Sequence, residues 1–204
     1  MKTIGIDVGG IKKGFHAVAN QHGAFFAKFH SSDVNEMVLW ISKQQPSVVA
    51  IDAPCMFSVD DHSREAERLL VSNGVRCFFT PTREHAQKSR FYDWVFNGER
   101  LFKKLNLPLF MGKKAKTPCV IETFPHGINL FFRRGNHLMP SEKSKILARK
   151  LTLKELANYP TSELTNIDFV DAALCAIAAD YFFRDQFIAY GSNSEGYIVL
   201  PNKP

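Results

Sequence analysis

The sequence predicts an α/β fold in which a mixed sheet carries helices on both faces. Three short apolar segments within residues 3–30 are separated by turn residues, which is typical of antiparallel strands. A helical pattern then precedes a continuous β-branched run, and such a crossover places the later strand parallel to the first. The segment 167–183 is apolar nearly all round, which predicts a helix buried against the sheet.

The first half of the sheet follows from strand and helix signals taken in chain order. We predict strands 1 to 3 at residues 3–8, 14–19 and 24–30, each antiparallel to its neighbour. A helix is expected at about 33–44, where apolar residues recur at helical spacing. Strand 4, at 47–52, is continuously apolar until its last residue, as expected of a central strand parallel to strand 1.

A helical insertion is predicted after strand 4, at about 55–117. Its helices are expected at about 63–73 and within 85–105, after which strand 5, at 118–123, resumes the sheet parallel to strands 1 and 4. No linker or repeat divides the chain, so residues 1–204 are predicted to form a single domain. The remaining elements are expected at 141–158 (a basic helix), 167–183 (the apolar helix) and 197–200 (a strand).

Composition narrows the class of protein. Of the 204 residues, 45% are hydrophobic, which is enough for a sizeable core. Lysine and arginine exceed aspartate and glutamate by 26 to 20, a net charge of +6 that favours a polyanionic partner such as nucleic acid. The four cysteines lack the spacing of a zinc site or a disulfide framework. Neither a signal peptide nor a membrane-spanning run is recognisable, so we expect a cytoplasmic protein that does not bind membranes.

Three carboxylates occupy positions that a strand-end site would use. Asp7 lies in the first strand, Asp52 ends the fourth, and Asp171 lies on the apolar last helix. In a sheet of this order the first and fourth strands are neighbours, and a helix packed across them brings a third carboxylate to the same edge. Clustered carboxylates repel one another, and Mg²⁺ or Mn²⁺ is the natural match to their oxygens. We therefore predict that the three hold two metal ions for phosphodiester hydrolysis.

Each of these acids also has a structural interpretation. Asp52 precedes Ala-Pro and could simply form a turn. The spacing of Thr165 and Asp168 has the form of a capping box, in which case Asp168 would only satisfy a helix N-terminus. Glu122, at the end of strand 5, could be a further catalytic ligand or could pair with Arg64 or a lysine. Asp171 is harder to explain in this way, because a buried carboxylate without a partner is costly.

Basic and aromatic residues alternate in the later part of the insertion, from residue 83 to residue 116. This composition suits contact with a single nucleic-acid strand, where rings stack on bases and lysines follow phosphates. The alternative is a small satellite core with a solvated basic face. The residues that we predict to bind substrate are Arg64, Lys113, Lys114 and Lys116.

Six short motifs follow one another along the chain: GIDVGG (5–10), IDAP (51–54), RxxExL (64–69), ETFPH (122–126), DxxDA (168–172) and EGYIVLP (195–201). Together they resemble the domain of unknown function 429 family, over essentially the whole chain. That family is described as predicted nucleases with an RNase H-like fold, so the resemblance implies this fold and a metal-dependent nuclease. In RNase H-like enzymes, acids lie on the first strand, the fourth strand and the last helix, places that Asp7, Asp52, Asp168 and Asp171 match. The acid expected on the first helix has no clear counterpart, because Glu36 lies too early.

Two other functions compete with the nuclease. A phosphotransferase of the sugar-kinase and actin type begins with a similar strand and glycine turn, but usually needs two copies of the core and a second glycine-rich turn, which this chain lacks. A non-catalytic RNase H-like module would bind nucleic acid or a protein and keep its acids for structure only. The oligomeric state is open.

Overall fold

A computed structural model of the chain describes residues 1–60, 63–113, 116–133, 144–157 and 160–202. The described residues form seven strands and seven α-helices, and a short 3-10 turn at Arg90–Tyr92 precedes the fourth helix. The strands are β1 (Lys2–Val8), β2 (Phe15–Gln21), β3 (Ala24–Ser31), β4 (Val48–Asp52), β5 (Cys119–Thr123), β6 (Phe187–Ser192) and β7 (Gly196–Pro201). The helices are α1 (Val34–Gln44), α2 (Glu65–Ser72), α3 (Arg83–Ala86), α4 (Asp93–Leu105), α5 (Pro125–Arg133), α6 (Lys145–Ala157) and α7 (Ile167–Phe183).

All seven strands belong to one mixed sheet, in the order β3-β2-β1-β4-β5-β7-β6. The strands β1, β2 and β3 are antiparallel, whereas β1, β4 and β5 are parallel, as the sequence predicted. On the far side, β7 continues the parallel set and β6 pairs with it antiparallel at the edge. The predicted α/β fold with a mixed sheet is therefore confirmed.

Helices cover both faces of this sheet. One face packs against α7, which contacts β1, β2 and β4, with α5 and α6 packed beside it. Gly5 is essential to this contact, since a Cβ added there would lie 2.1 Å from the backbone oxygen of Ala172 and from the backbone nitrogen of Ala176. On the other face, apolar residues of the central strands meet α1 and α4 in one cluster. Its members include Ile4, Ile6, Met37, Ile41, Val49, Ile51, Leu101 and Val120.

The segment between β4 and β5 packs on the sheet rather than apart from it. Its helix α4 contacts α1 and β1, and its helix α2 contacts β6 and β7. The predicted insertion thus supplies α4 to one face of the sheet, and the single-domain prediction for residues 1–204 itself stays a prediction.

The strand β6, the helix α5 and the four-residue helix α3 were not predicted from the sequence. The strand β6 lies at the sheet edge and is only partly buried, so its residues lack an alternating pattern of apolar and polar side chains. The helix α5 begins at Pro125 and contains Gly127, and both residue types are usual turn signals. Proline is nevertheless well tolerated in the first turn of a helix. Within the described residues, no helix combines the length and the apolar character needed to cross a membrane.

Candidate metal-binding site and adjoining cavity

The sheet topology brings the predicted aspartates to one cavity. Asp7 and Asp52 are directly paired in the parallel register of β1 and β4, so their side chains leave the sheet on the same face. That face is the one covered by α7, whose first two turns carry Asp168 and Asp171. All four residues line a cavity of about 810 Å³.

The ammonium group of Lys13 lies between two of these carboxylates. Its Nζ atom is 2.7 Å from Oδ1 of Asp168 and 3.4 Å from Oδ2 of Asp7. The side chain reaches them by crossing Gly9, where an added Cβ would lie 2.4 Å from a carbon of the lysine side chain. The glycine turn after β1 therefore makes room for a cation beside Asp7.

His16 completes the group and was not singled out in the sequence. It faces Asp7 as its cross-strand partner on β2, and its Nε2 atom lies 3.8 Å from Oδ2 of Asp168. One ligand atom from each of Asp7, His16 and Asp168 can be chosen so that all lie within 4.8 Å of one another. His16 is only 6% exposed, and its Nδ1 atom has no hydrogen-bond partner in the described part of the chain. An unpaired buried ring nitrogen is unusual and favours a ligand role.

Burial shifts the pKa values of two of these groups in opposite directions. It raises the pKa of Asp7 to about 6, and Asp168 adds to this rise while Lys13 opposes it. Burial lowers the pKa of His16 to about 4, although the carboxylate of Asp168 acts in the other direction. The imidazole is therefore neutral at neutral pH, which is the form that binds metals.

Asp52 and Asp171 differ in their partners. The carboxylate of Asp52 makes no hydrogen bond or ion pair with any residue that the structure describes. Burial, followed by the charge of Asp7, raises the pKa of Asp52 well above the usual value. Asp171 instead accepts a hydrogen bond from the guanidinium of Arg149, and Lys145 lies 4.0 Å away. A carboxylate held by a buried arginine is already neutralised, so Asp171 is less available to a metal than Asp52.

The capping-box interpretation of Asp168 is wrong. The residue that caps α7 is Asn166, whose side chain accepts a hydrogen bond from the backbone N–H of Phe169 at 2.9 Å. Asp168 is instead directed to Lys13 and His16. The sequence pattern failed because the helix begins one residue later than Thr165 would require.

Glu122 and Arg64 do not line the cavity that contains the four aspartates. Glu122 is paired in register with Ile51, whose side chain packs on the face covered by α1 and α4, so it leaves the sheet on the face away from Asp7 and Asp52. There it accepts two hydrogen bonds from Arg64 and one, at 2.7 Å, from the backbone N–H of Cys55. Arg64 is 1% exposed and also bonds Glu67. The structure thus places neither residue where it would meet a substrate in the cavity.

Of the lysines predicted to bind substrate, Lys113 and Lys116 do not line the cavity. Lys113 and Lys116 are exposed on the loop before β5, and Lys114 lies outside the described residues. Arg76 and Lys145 are basic residues that sequence reasoning did not assign to the site. The cationic side chains that do line the cavity are Lys13, Arg76, Lys145 and Arg149.

The residues around Asp7 fit a hard divalent cation. Two carboxylates and a neutral imidazole, with Asp52 adjacent, suit Mn²⁺ well and Mg²⁺ acceptably. The observation that supports this fit is the donor set itself, since one ligand atom from each of Asp7, His16 and Asp168 lies within 4.8 Å of the others. Binding would require Lys13 to move, and its side chain is 46% exposed and free to swing toward solvent.

Comparison with known proteins gives a family match that covers most of the chain. The sequence profile of the family described as "Protein of unknown function (DUF429)" matches residues 5–195. The matched range contains Asp7, His16, Asp52, Asp168 and Asp171. No curated protein and no solved structure matches the chain significantly.

Proposed function

The chain belongs to the DUF429 family, as its motifs predicted, and from the geometry of the site we propose that the protein is a metal-dependent nuclease with an RNase H-like fold. The observation that carries the proposal is the convergence of Asp7, His16 and Asp168. Asp7, Asp168 and the unpartnered Asp52 line a cavity that also carries several cationic side chains. A cytoplasmic location stays a prediction.

Asp7, Asp168 and His16 would hold the cation, with Asp52 as a further ligand. When bound, Mg²⁺ or Mn²⁺ would activate a water molecule and stabilise the leaving oxygen of the phosphodiester. The predicted second ion would need Asp52, since Asp171 is engaged by Arg149. We assign Asp171 the role of holding Arg149 in place.

The cationic residues of the cavity would orient the substrate. Arg149 is almost fully buried beside Asp171, and Lys145 is largely exposed at the same end of the cavity. Both lie on α6, so a phosphate entering here would meet two positive charges from one helix. Lys13, once released from the carboxylates, would add a third.

A second candidate function is the non-catalytic module, and Lys13 is the observation that favours it. An ammonium group already neutralises Asp7 and Asp168, so the site is electrostatically satisfied without a metal. The phosphotransferase has less support, because the backbone N–H of Gly9 is bonded to the carbonyl of Gly14 and is not free to bind a phosphate.

The test is cleavage of labelled DNA and RNA, single-stranded and duplex, with Mn²⁺, Mg²⁺ or EDTA. We expect cleavage that requires the metal and that falls by about 100-fold or more in Asp7→Asn and Asp168→Asn, since even residues that only orient metal ligands typically cost about 10- to 100-fold. Calorimetry with Mn²⁺ on the same variants should show that binding is lost together with activity.

Asp180→Asn is the matched control. Asp180 is a buried aspartate of the same helix, about 18 Å from Asp168 at the usual rise per residue, where it accepts a hydrogen bond from Thr3. Its substitution should leave cleavage and Mn²⁺ binding unchanged. Nucleic-acid binding without Mn²⁺ binding or cleavage would establish the non-catalytic module instead.

A further inference from the structure

Aromatic rings from the segment between α2 and α4 line the same cavity as the aspartates. Phe78 and Phe91 form an edge-to-face pair with their ring centroids 5.5 Å apart at 73°. Trp94 and Phe124 are half-buried in the wall beside them. One cavity therefore combines aromatic and cationic side chains with a cluster of carboxylates.

The two phenylalanines are unusually exposed for their size. Phe78 is 69% and Phe91 is 52% exposed. Large apolar rings that stay in water forgo the stabilisation that burial would provide, and when they gather at a cavity mouth they mark a binding surface. Their exposed faces suit a flat, stacking ligand.

The positive charges of the cavity wall further restrict the chemical class of the ligand. Arg76 lines the cavity with these rings and makes no ion pair with the described residues. Lys145, also in the wall, is largely exposed. A ligand with flat rings and a negatively charged backbone satisfies both features, and a nucleic-acid strand has both.

The size of the cavity and the geometry of stacking favour an unpaired strand. The volume of about 810 Å³ falls within the ~300–1,000 Å³ of pockets that enclose a small ligand, so it admits a nucleotide but not a duplex. In a duplex the faces of the bases are already stacked on one another, whereas an unpaired base can place its face on Phe or Trp.

We propose that Phe78, Phe91 and Trp94 form a stacking surface for unpaired bases of a single nucleic-acid strand. Arg76 and Lys145 contact its phosphates. The stacking surface would hold the strand while its backbone passes the carboxylates, and this last step rests on the proposed nuclease function. The binding itself does not depend on a metal.

The experiment measures binding in EDTA, where cleavage cannot occur. Trp40→Phe leaves Trp94 as the only tryptophan, since the chain has two. Trp40 stacks on Phe29, apart from the cavity. An oligothymidylate of about twelve nucleotides should quench this fluorescence, and a duplex of the same length should compete roughly tenfold more weakly.

Phe78→Ala and Phe91→Ala test the surface directly. Both side chains are exposed, so the fold should survive, and each substitution should weaken binding of the oligothymidylate roughly tenfold. The matched control is Phe26→Ala, a phenylalanine that is 49% exposed on β3 and does not line the cavity. It should bind as the parent does.

The outcomes separate this inference from the proposed function. Tight binding of the single strand without cleavage in Mn²⁺ would uphold the stacking surface and overturn the nuclease. Metal-dependent cleavage with unchanged binding in Phe78→Ala and Phe91→Ala would overturn the stacking surface alone. Equal affinity for single strand and duplex, or no binding in the parent, would also overturn it, and the exposed rings would then suit a protein partner.

Discussion

At the scale of single residues, the site is defined by competition for two carboxylates. Lys13 forms ion pairs with Asp7 and Asp168. Burial raises the pKa of Asp7 above that of an exposed aspartate, so Asp7 binds a proton more tightly. A divalent cation must therefore displace both an ammonium group and, at mildly acidic pH, a proton. Each of these competitors can be removed separately.

The first prediction concerns pH. Because the pKa of Asp7 is about 6 in the folded protein, the carboxyl is protonated below that pH and a metal must displace the proton. We expect Mn²⁺ affinity, measured by calorimetry, to rise roughly tenfold per pH unit as the pH approaches about 6. An affinity that does not change across this range would contradict the assignment.

The same shift has a consequence for stability in the absence of metal. The folded state holds the Asp7 proton more tightly than the unfolded state, whose pKa is near the ordinary 3.8. The contribution of Asp7 to stability is therefore fully present below that value and is lost as pH rises through about 6. In Asp7→Asn this part of the pH dependence should disappear from denaturation curves.

The second prediction concerns Lys13. Replacing it by glutamine removes the positive charge between Asp7 and Asp168, so Mn²⁺ should bind about tenfold more tightly. The neighbouring Lys12 is exposed and Lys12→Gln is the matched control, which should leave affinity nearly unchanged. Weaker binding in Lys13→Gln would mean that the lysine supports the metal rather than competing with it.

At the scale of elements, the site depends on how closely β1 approaches α7. Gly5 permits the contact, and the same two elements carry Asp7, Asp168 and Asp171. The distance between strand and helix therefore sets the distance between the proposed metal ligands. A side chain at position 5 would change both.

The third prediction is that Gly5→Ala destabilises the protein by about 3 kcal/mol or more, because its Cβ would collide with the backbone of α7. Urea denaturation measures this loss, and Mn²⁺ affinity should fall as well. In Gly10→Ala the nearest atom to the new Cβ would be 3.8 Å away, an ordinary contact, so that control should stay close to wild type. Equal stability of the two variants would contradict the packing argument.

The elements themselves were mostly predictable, because their signals are local. The helix α7 has the predicted bounds, since seventeen nearly all-apolar residues leave few alternatives, and the strands that carry Asp7 and Asp52 follow from period and crossover. His16 was missed because its position opposite Asp7 depends on strand register across the turn. Arg149 was missed because its contact with Asp171 depends on how α6 packs against α7, which no local pattern encodes.

At the scale of the whole molecule, a buried charge network joins the segment after β4 to the sheet and to the last strand. Arg64 binds Glu122 of β5 and Glu67 of α2. Burial disfavours the charge on Arg64, but the two carboxylates outweigh it and raise its pKa. Close by, Glu195 accepts hydrogen bonds from the backbone N–H groups of Val59 and Glu65.

The fourth prediction follows from this network. Arg64→Met leaves Glu67 and Glu122 buried without their cation, which typically costs about 3–5 kcal/mol. Arg68→Met is the matched control, since Arg68 is 48% exposed and its ion pair with Glu195 is long, so it should change stability by no more than about 0.5 kcal/mol. Thermal and urea denaturation compare the two. A mild effect of Arg64→Met would show that the glutamates find water or other donors.

The packing of β1 against α7 also affects when the site can form during synthesis of the chain. The strand is synthesised well before the helix, yet the proposed metal ligands lie on both. Until α7 is synthesised, the Gly5 face of β1 has no cover and Asp7 has no Asp168 beside it. Contacts between such distant segments form late and slow folding. We therefore expect the proposed metal site to form only after α7 has been synthesised.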